Sequence, residues 1–284
     1  MYKAILTACA LIGTAGAGIG AAQAATIYGV DENNNLVTFD SANPGTMLST
    51  VSITGTDAGL GAIDFRPFDR MLYGLGLDRV VYRIDMNTGA ATAVSGVLAL
   101  NGTSFAFDFN PTIDRLRIVS NLNDNYVVNP NNGVLTIATS VFYAAGDPNN
   151  GTDPDVTAGA YTSSIFGAPG SSTQLYSIDT ALDVLAKQAN SAGILTTVGA
   201  LGIDVGSRTS FDIFGSDAFA FNGSRLYRVN LATGALTSLG MTDRALFGIA
   251  IAPVPEPASW MMMIGGMTLV GGAMRKRRKT IRFA

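Results

Sequence analysis

Asp64, Asp108 and Asp212 stand at matching places in three similar stretches, Ala62-Ile63-Asp64-Phe65, Ala106-Phe107-Asp108-Phe109 and Ser210-Phe211-Asp212-Ile213. Carboxylates brought together need a cation or raised pKa values, so this set can build a metal site or an acid/base pair. It can equally be structural, with each carboxylate bonded to an Arg or to backbone N–H groups. A second group of oxygen donors is close in sequence: Asp147, Asn149, Asn150, Asp153 and Asp155, in the segment FYAAGDPNNGTDPDVTAGAYTSS from Phe142 to Ser164. Calcium takes roughly six to eight such hard oxygens, and it is abundant outside cells. The spacing is not an EF-hand, which would close on a Glu. A polar connection rich in turns is the plain reading of this loop, and any calcium it holds is expected to bind weakly.

The residues that are missing exclude more than those present suggest. The chain has no His, and Cys9 is its single cysteine. Cys9 lies in an N-terminal stretch with Lys3 near the start, an uncharged run from Ala4 to Gly20 and the small-x-small sequence Ala22-Gln23-Ala24. That is the pattern of a secretory signal peptide over residues 1–24, passed through the Sec export machinery. The mature chain then has no disulfide, no imidazole base, no thiolate and none of the softer metal ligands, which argues against zinc. A serine nucleophile would have to rely on Lys187, the only lysine of the domain. Two carboxylates suffice for a glycosidase. Sugar sites also favour aromatic platforms, and Tyr126, Tyr143 and Tyr161 are the available ones, since Tyr82, Tyr176 and Tyr227 recur at one repeat position and read as core. From Asp31 to Arg244 there are 20 acids against 11 Lys and Arg, a net charge of −9. Nucleic acid is thereby disfavoured as a partner.

The segments that must position these residues repeat. Tyr82–Gly89 (YRIDMNTG) returns as Tyr126–Gly133 (YVVNPNNG) and Tyr227–Gly234 (YRVNLATG), with weaker copies from Tyr176 and from Val37. The starts at 37, 82, 126, 176 and 227 are 44 to 51 residues apart, a propeller-blade period. In each good copy a β-rich run meets an Asp or Asn able to form an Asx-turn, and a Gly supplies the left-handed residue a hairpin needs. Four strand-like runs surround the motif in most units. The first unit lacks its leading run, while Gly248–Pro253 (GIAIAP) has that pattern and no partners of its own. Residues 25–253 therefore read as an all-β, five-bladed β-propeller-like ring, closed by pairing GIAIAP with Ile27–Val30 (IYGV). A β-sandwich or an irregular β-solenoid is the alternative. The fourth unit is poorly bounded, and ALDVLAKQAN from Ala181 reads either as a helical turn or as a bent strand.

Residues 254–284 complete the chain. Val254-Pro255-Glu256-Pro257 precedes 17 uncharged residues, Ala258 to Met274, about the minimum for a transmembrane helix, and then Arg275, Lys276, Arg277, Arg278 and Lys279. The basic cluster would stay cytoplasmic, leaving the domain outside the inner membrane. In order and spacing this tail resembles the PEP-CTERM sorting signal, with Pro255, Glu256 and Pro257 as its motif. The resemblance implies recognition by an exosortase, transient anchoring, and delivery to the cell surface or the extracellular matrix. The body, through FDFNPTIDRLRIVSN, NPNNG and GDPNNGTDPDVTAGAYTSS, is similar to a secreted bacterial domain family of unknown function often joined to such tails. That second resemblance supplies no activity; the expectation for the whole chain is a binding or structural module, with exopolysaccharide as a partner, or alternatively a carboxylate-dependent hydrolase acting on extracellular polysaccharide.

Overall fold

The computed structural model describes residues 24–253, which form five sheets. The first contains β1 (Thr26–Asp31), β2 (Asn35–Asp40) and β3 (Asn43–Ser52). The second is β4 (Leu60–Phe65), β5 (Leu72–Gly76), β6 (Val81–Ile84) and β7 (Ala91–Ala93). The third is β8 (Phe105–Asn110), β9 (Arg115–Ser120), β10 (Asn125–Val128) and β11 (Leu135–Ile137). The fourth holds β12 (Phe142–Tyr143), β13 (Val156–Tyr161), β14 (Leu175–Asp179), β15 (Val184–Gln188) and β16 (Ile194–Ala200). The fifth is β17 (Ser210–Phe214), β18 (Asp217–Asn222), β19 (Arg225–Val229) and β20 (Leu236–Met241). The last strand, β21 (Leu246–Ile251), returns to the first sheet and pairs with β1.

That return closes the ring as the missing leading strand requires. β21 runs antiparallel to β1 with Ile27 opposite Ile251, Tyr28 opposite Ala250, Gly29 opposite Ile249 and Val30 opposite Gly248. The Ala252 N–H adds a bond to the Thr26 carbonyl at 2.9 Å. Asp31, almost wholly buried, accepts from Arg244 at 3.2 Å, so an ion pair reinforces the junction between the ends of the domain. The innermost strands β21, β4, β8, β13 and β17 then pack side by side around an axis, each against the next and β17 against β21. Their approach is close: a Cβ on Gly248 would lie 2.9 Å from the Ala62 Cα, which is why glycine stands there.

Five buried apolar clusters hold the blades, one in each interface. The cluster between the second and third sheets contains Tyr73, Phe107, Phe109, Leu116 and Ile118. The one between the third and fourth is built of smaller side chains such as Ala106, Val119, Val141, Val156 and Ala186. Burial of these side chains from both faces of every sheet is the main stabilising term, at about 25 cal/mol per Å² of apolar surface. The repeated motif is the turn device its residues suggest. Asp85 Oδ1 accepts the N–H groups of Asn87 and Thr88 at 2.9 and 3.0 Å, and Gly89 follows at φ 73°. Asn129 and Asn230 repeat the Asx-turn ahead of Gly133 and Gly234. In the fourth sheet Asp179 does so, and Asp183 adopts φ 52° where the other copies have glycine.

Two parts of the fourth unit differ from the sequence reading. The stretch after Phe142 is not wholly a loop, because Val156–Tyr161 inside it is the inner strand β13. Its residues are entirely buried, and DVTAGAY carries none of the bulky alternation seen in the other inner strands. The ALDVLAKQAN segment resolves into strand β15 followed by a 3-10 turn at Asn190–Ala192. An added fifth strand, β12, runs parallel to β16 at the outer edge. Among the described residues no helix is long and apolar enough to cross a membrane. The expected signal peptide, the Pro255-Glu256-Pro257 motif and the helix 258–274 lie outside the described residues.

Candidate functional site

The matching places of Asp64, Asp108 and Asp212 become matching places around the axis, because each lies on an inner strand of its blade. All three are buried, and one carboxylate oxygen from each lies within 4.8 Å of the others. Each reaches to the next blade. Asp64 Oδ2 accepts the Phe109 N–H at 2.8 Å, and Asp212 Oδ2 accepts the Ile251 N–H at 2.5 Å. At Asp108 the Tyr161 N–H is the corresponding group, and it lowers the acid's pKa in part. By this pattern Ala160 and Ala250 fill the corresponding places in the remaining two blades, so three of five positions around the axis carry a carboxyl group. Blade-to-blade N–H bonding is the structural role the sequence left open. No arginine bonds these three carboxylates among the described residues.

Burial is the first cause of their altered acidity. It lifts Asp64 and Asp108 well above the usual carboxylate range, and repulsion from the other ring members adds to the effect. Asp212 is pushed up by burial to about 6, held down in part by the N–H groups of Ile251 and Ile213. Three carboxyl groups this close share protons or ligate a cation. Their one oxygen each is a sparse shell, which water or backbone carbonyls would have to complete.

A separate cavity lies at each end of the ring axis, and the two differ in chemistry. Where the inner strands finish, a cavity of about 350 Å³ is lined by Asp64, Asp212, Arg66, Phe68, Phe166 and Pro253, among others. Phe68 and Phe166 are exposed and meet edge to face at 4.9 Å. Arg66 is buried and clasps the next blade, its Nε donating to Asp114 Oδ1 at 2.8 Å and its Nη2 to Asn131 Oδ1 at 2.9 Å. The hydrogen bonds it donates to Asp114 raise the Arg66 pKa further. Where the inner strands begin, a recess of about 480 Å³ is lined by Arg79, Arg208, Phe247 and a set of small and hydroxylated residues, with no acidic side chain. Thr157 and Ser210 belong to that lining, are more than nine-tenths buried, and their hydroxyl oxygens find no partner among the described residues.

The oxygen donors of the 146–155 loop are placed quite differently. Asp147 clamps β16, accepting the Thr197 N–H and hydroxyl, each at 2.7 Å. Asn149 donates to the same Thr197 hydroxyl at 2.9 Å, while Asn150 donates to the carbonyls of Tyr143 and Ala144. Asp153 accepts from Asn123 at 2.6 Å and Asp155 from the Thr180 hydroxyl at 3.1 Å. The structure gathers Asp64, Asp108 and Asp212 into a carboxylate cluster but not Asp147, Asp153 and Asp155. The tyrosine platforms are a correction: Tyr126, Tyr143 and Tyr161 are at most 2% exposed and belong to the interior. Tyr143 spends its hydroxyl on Asp179 at 2.7 Å. Exposed aromatic surface is supplied instead by Phe68 and Phe166, and the recess by Arg79, Arg208, Thr157 and Ser210. No spacing in the sequence marks these residues as neighbours.

A closed ring of five blades around a carboxyl-lined axis, with a ligand-sized recess at one end, defines a five-bladed β-propeller. The chain belongs to the family described as Domain of unknown function (DUF4394), which matches residues 35–250. The PEP-CTERM protein-sorting motif matches residues 253–279, which marks the protein as exported and processed by an exosortase on its way to the cell surface. No curated protein matches the chain in sequence. Among solved structures it is similar to a structural genomics protein of unknown function from Bacteroides thetaiotaomicron VPI-5482, at 15% identity and a TM-score of 0.51. That likeness covers 81% of this chain and 61% of the other. An auxiliary nutrient binding protein from Bacteroides ovatus ATCC 8483 is also similar, at 15% identity and a TM-score of 0.42, over 71% of this chain and 55% of that one. The chain thus spans little more than half the length of these structures, and the first of them supports the fold alone.

Proposed function

We propose that this protein is an extracellular binding module, exported by the Sec machinery, released by cleavage near Pro255-Glu256-Pro257, and engaging a saccharide of the matrix at its axial recess. The observation that carries the reading is the pair of uncommitted hydroxyls, Thr157 and Ser210, in the lining of the 480 Å³ recess. A buried hydroxyl without a partner costs about 1–3 kcal/mol, so such groups point to a missing ligand. The volume falls within the roughly 300–1,000 Å³ of small-molecule sites. Titrating the full chain in detergent with a panel of neutral and acidic oligosaccharides tests it. Binding that weakens at least tenfold in Thr157→Val and Ser210→Ala is expected, whereas no binding by any member of the panel removes the recess as the site.

The second reading, a polysaccharide hydrolase, draws support from the other end of the axis, where Asp64 and Asp212 line a cavity and Asp212 ionises near neutrality. A general acid needs such a pKa. Each of the two already accepts a backbone N–H from the next blade, which favours a structural duty. Release of reducing ends that disappears in Asp212→Asn would establish catalysis.

A further inference from the structure

We propose that the recess selects an anionic saccharide, a sugar unit bearing a carboxylate, with the acid held by Arg208. This deepens the reading of the recess as the binding site and rests on it. The first observation is charge segregation. The domain has 20 acids against 11 Lys and Arg, yet two arginines and no acidic residue line this recess. On a surface of net negative charge such a basic pocket focuses anions.

The two arginines are not equivalent. Arg79, in the β5–β6 turn, donates to the carbonyls of Leu100 at 2.8 Å and Gly102 at 3.1 Å and lies over the Phe105 ring. Its donors shape the rim, and it contributes charge. Arg208, between β16 and β17, is exposed and makes no hydrogen bond or ion pair among the described residues. Its guanidinium sits 4.7 Å from the centroid of the Phe247 ring, which orients the planar fork without consuming its donors. A free, oriented fork is the geometry that takes a carboxylate through two parallel bonds.

The remaining lining suits the rest of a sugar. Thr103, Ser104 and Ser207 add hydroxyls to those of Thr157 and Ser210, and these can both donate to and accept from a polyhydroxylated ring. Phe105 and Phe247, beside the two arginines that stack on them, add apolar surface for its carbon face. A bare inorganic anion would use Arg208 and leave most of the cavity unfilled.

The test is a titration of the full chain in detergent with a galacturonate trimer, a neutral maltose-type trimer, a sulfated trimer and inorganic phosphate. The galacturonate trimer is expected to bind at least tenfold more tightly than the neutral one. That preference should weaken as salt rises and drop about tenfold in Arg208→Gln. The melting temperature of Arg208→Gln should match the parent, which keeps the variant interpretable. Equal affinity for the neutral and acidic trimers, or unchanged preference in Arg208→Gln, overturns the proposal while leaving the recess as a sugar site. Preference for the sulfated trimer or for phosphate replaces the carboxylate by another anion and overturns it too. Failure of every probe overturns the recess reading itself.

Discussion

The two ends of the ring axis are framed by the same five inner strands and yet differ in chemistry. At the finishing end, Asp64, Asp108 and Asp212 are buried, bonded to the next blade, and inclined to hold protons. At the starting end, Arg79 and Arg208 face a recess with two hydroxyls uncommitted and no acidic side chain in its lining. Buried polar groups whose partners are all within the protein do structural work, and those left without partners call for one, from water, an ion or a ligand. The aspartate end therefore reads as the keystone of the ring, and the arginine end as its binding face.

The largest effect should come from Arg66 at the aspartate end. Its side chain is 4% exposed and its ion pair with Asp114 joins two blades. Arg66→Ala should cost about 3–5 kcal/mol in urea unfolding, since it strands a poorly solvated carboxylate. Arg66→Met combined with Asp114→Asn, which suits the left-handed backbone at that position, should recover most of that loss. If the double variant is no better than the single, the pair is not what joins these blades.

Next in size is a pH effect with an unusual sign. The three axial carboxyls bind protons more tightly folded than unfolded, so they favour the folded state most below about pH 4. That contribution is lost as pH rises through about 6 for Asp212 and through the raised values of Asp64 and Asp108. Stability should fall by on the order of 2 kcal/mol from pH 4.5 to pH 8, or about 4–8 °C in melting temperature. The lowered Asp85, Asp147 and Asp243 act oppositely, and only below about pH 4. Asp108→Asn should flatten the slope. A parent protein equally stable at both pH values would show that the ring ionises freely and is open to water or a cation.

At the arginine end the expected losses of stability are smaller. Arg79→Ala removes two bonds to the 100–102 loop and should cost about 1–2 kcal/mol. Arg208→Gln should stay within about 0.5 kcal/mol of the parent by thermal melting. A loss of 2 kcal/mol or more there would mean that Arg208 holds the rim and is not free for a ligand.

The smallest effect concerns the 146–155 loop. Asp147, Asp153 and Asp155 are bonded to Thr197, Asn123 and Thr180, three separate partners. Millimolar calcium should therefore move the melting temperature by less than about 1 °C. A rise of several degrees, given by calcium and not magnesium and abolished in Asp153→Asn, would make the loop a metal site after all.

What was legible in the sequence is what repeats. The Asx-turn and glycine recur every 44 to 51 residues, which located the blades, and a leading strand missing at Thr26 and present at Gly248 gave the closure. Asp64, Asp108 and Asp212 were legible because the same strand position recurs three times. The recess was not, because Arg79 belongs to a turn inside the second sheet and Arg208 to a connection between the fourth and fifth. Only ring closure makes them neighbours. Tyr126, Tyr143 and Tyr161 misled for a related reason: sheets buried on both faces have no outward register in which a strand tyrosine can serve as a platform. Inner strand β13 was hidden because small residues replace the bulky ones where the third and fourth blades pack tightly.

One measurement sets the two ends directly against each other: the affinity of the full chain for a galacturonate trimer, compared between Asp108→Asn and Arg208→Gln. The account predicts that Asp108→Asn binds as the parent does, within about twofold, while Arg208→Gln loses about tenfold, close to 1.4 kcal/mol. Parent-like binding in Arg208→Gln together with a large loss in Asp108→Asn would contradict it and move the site to the aspartate end.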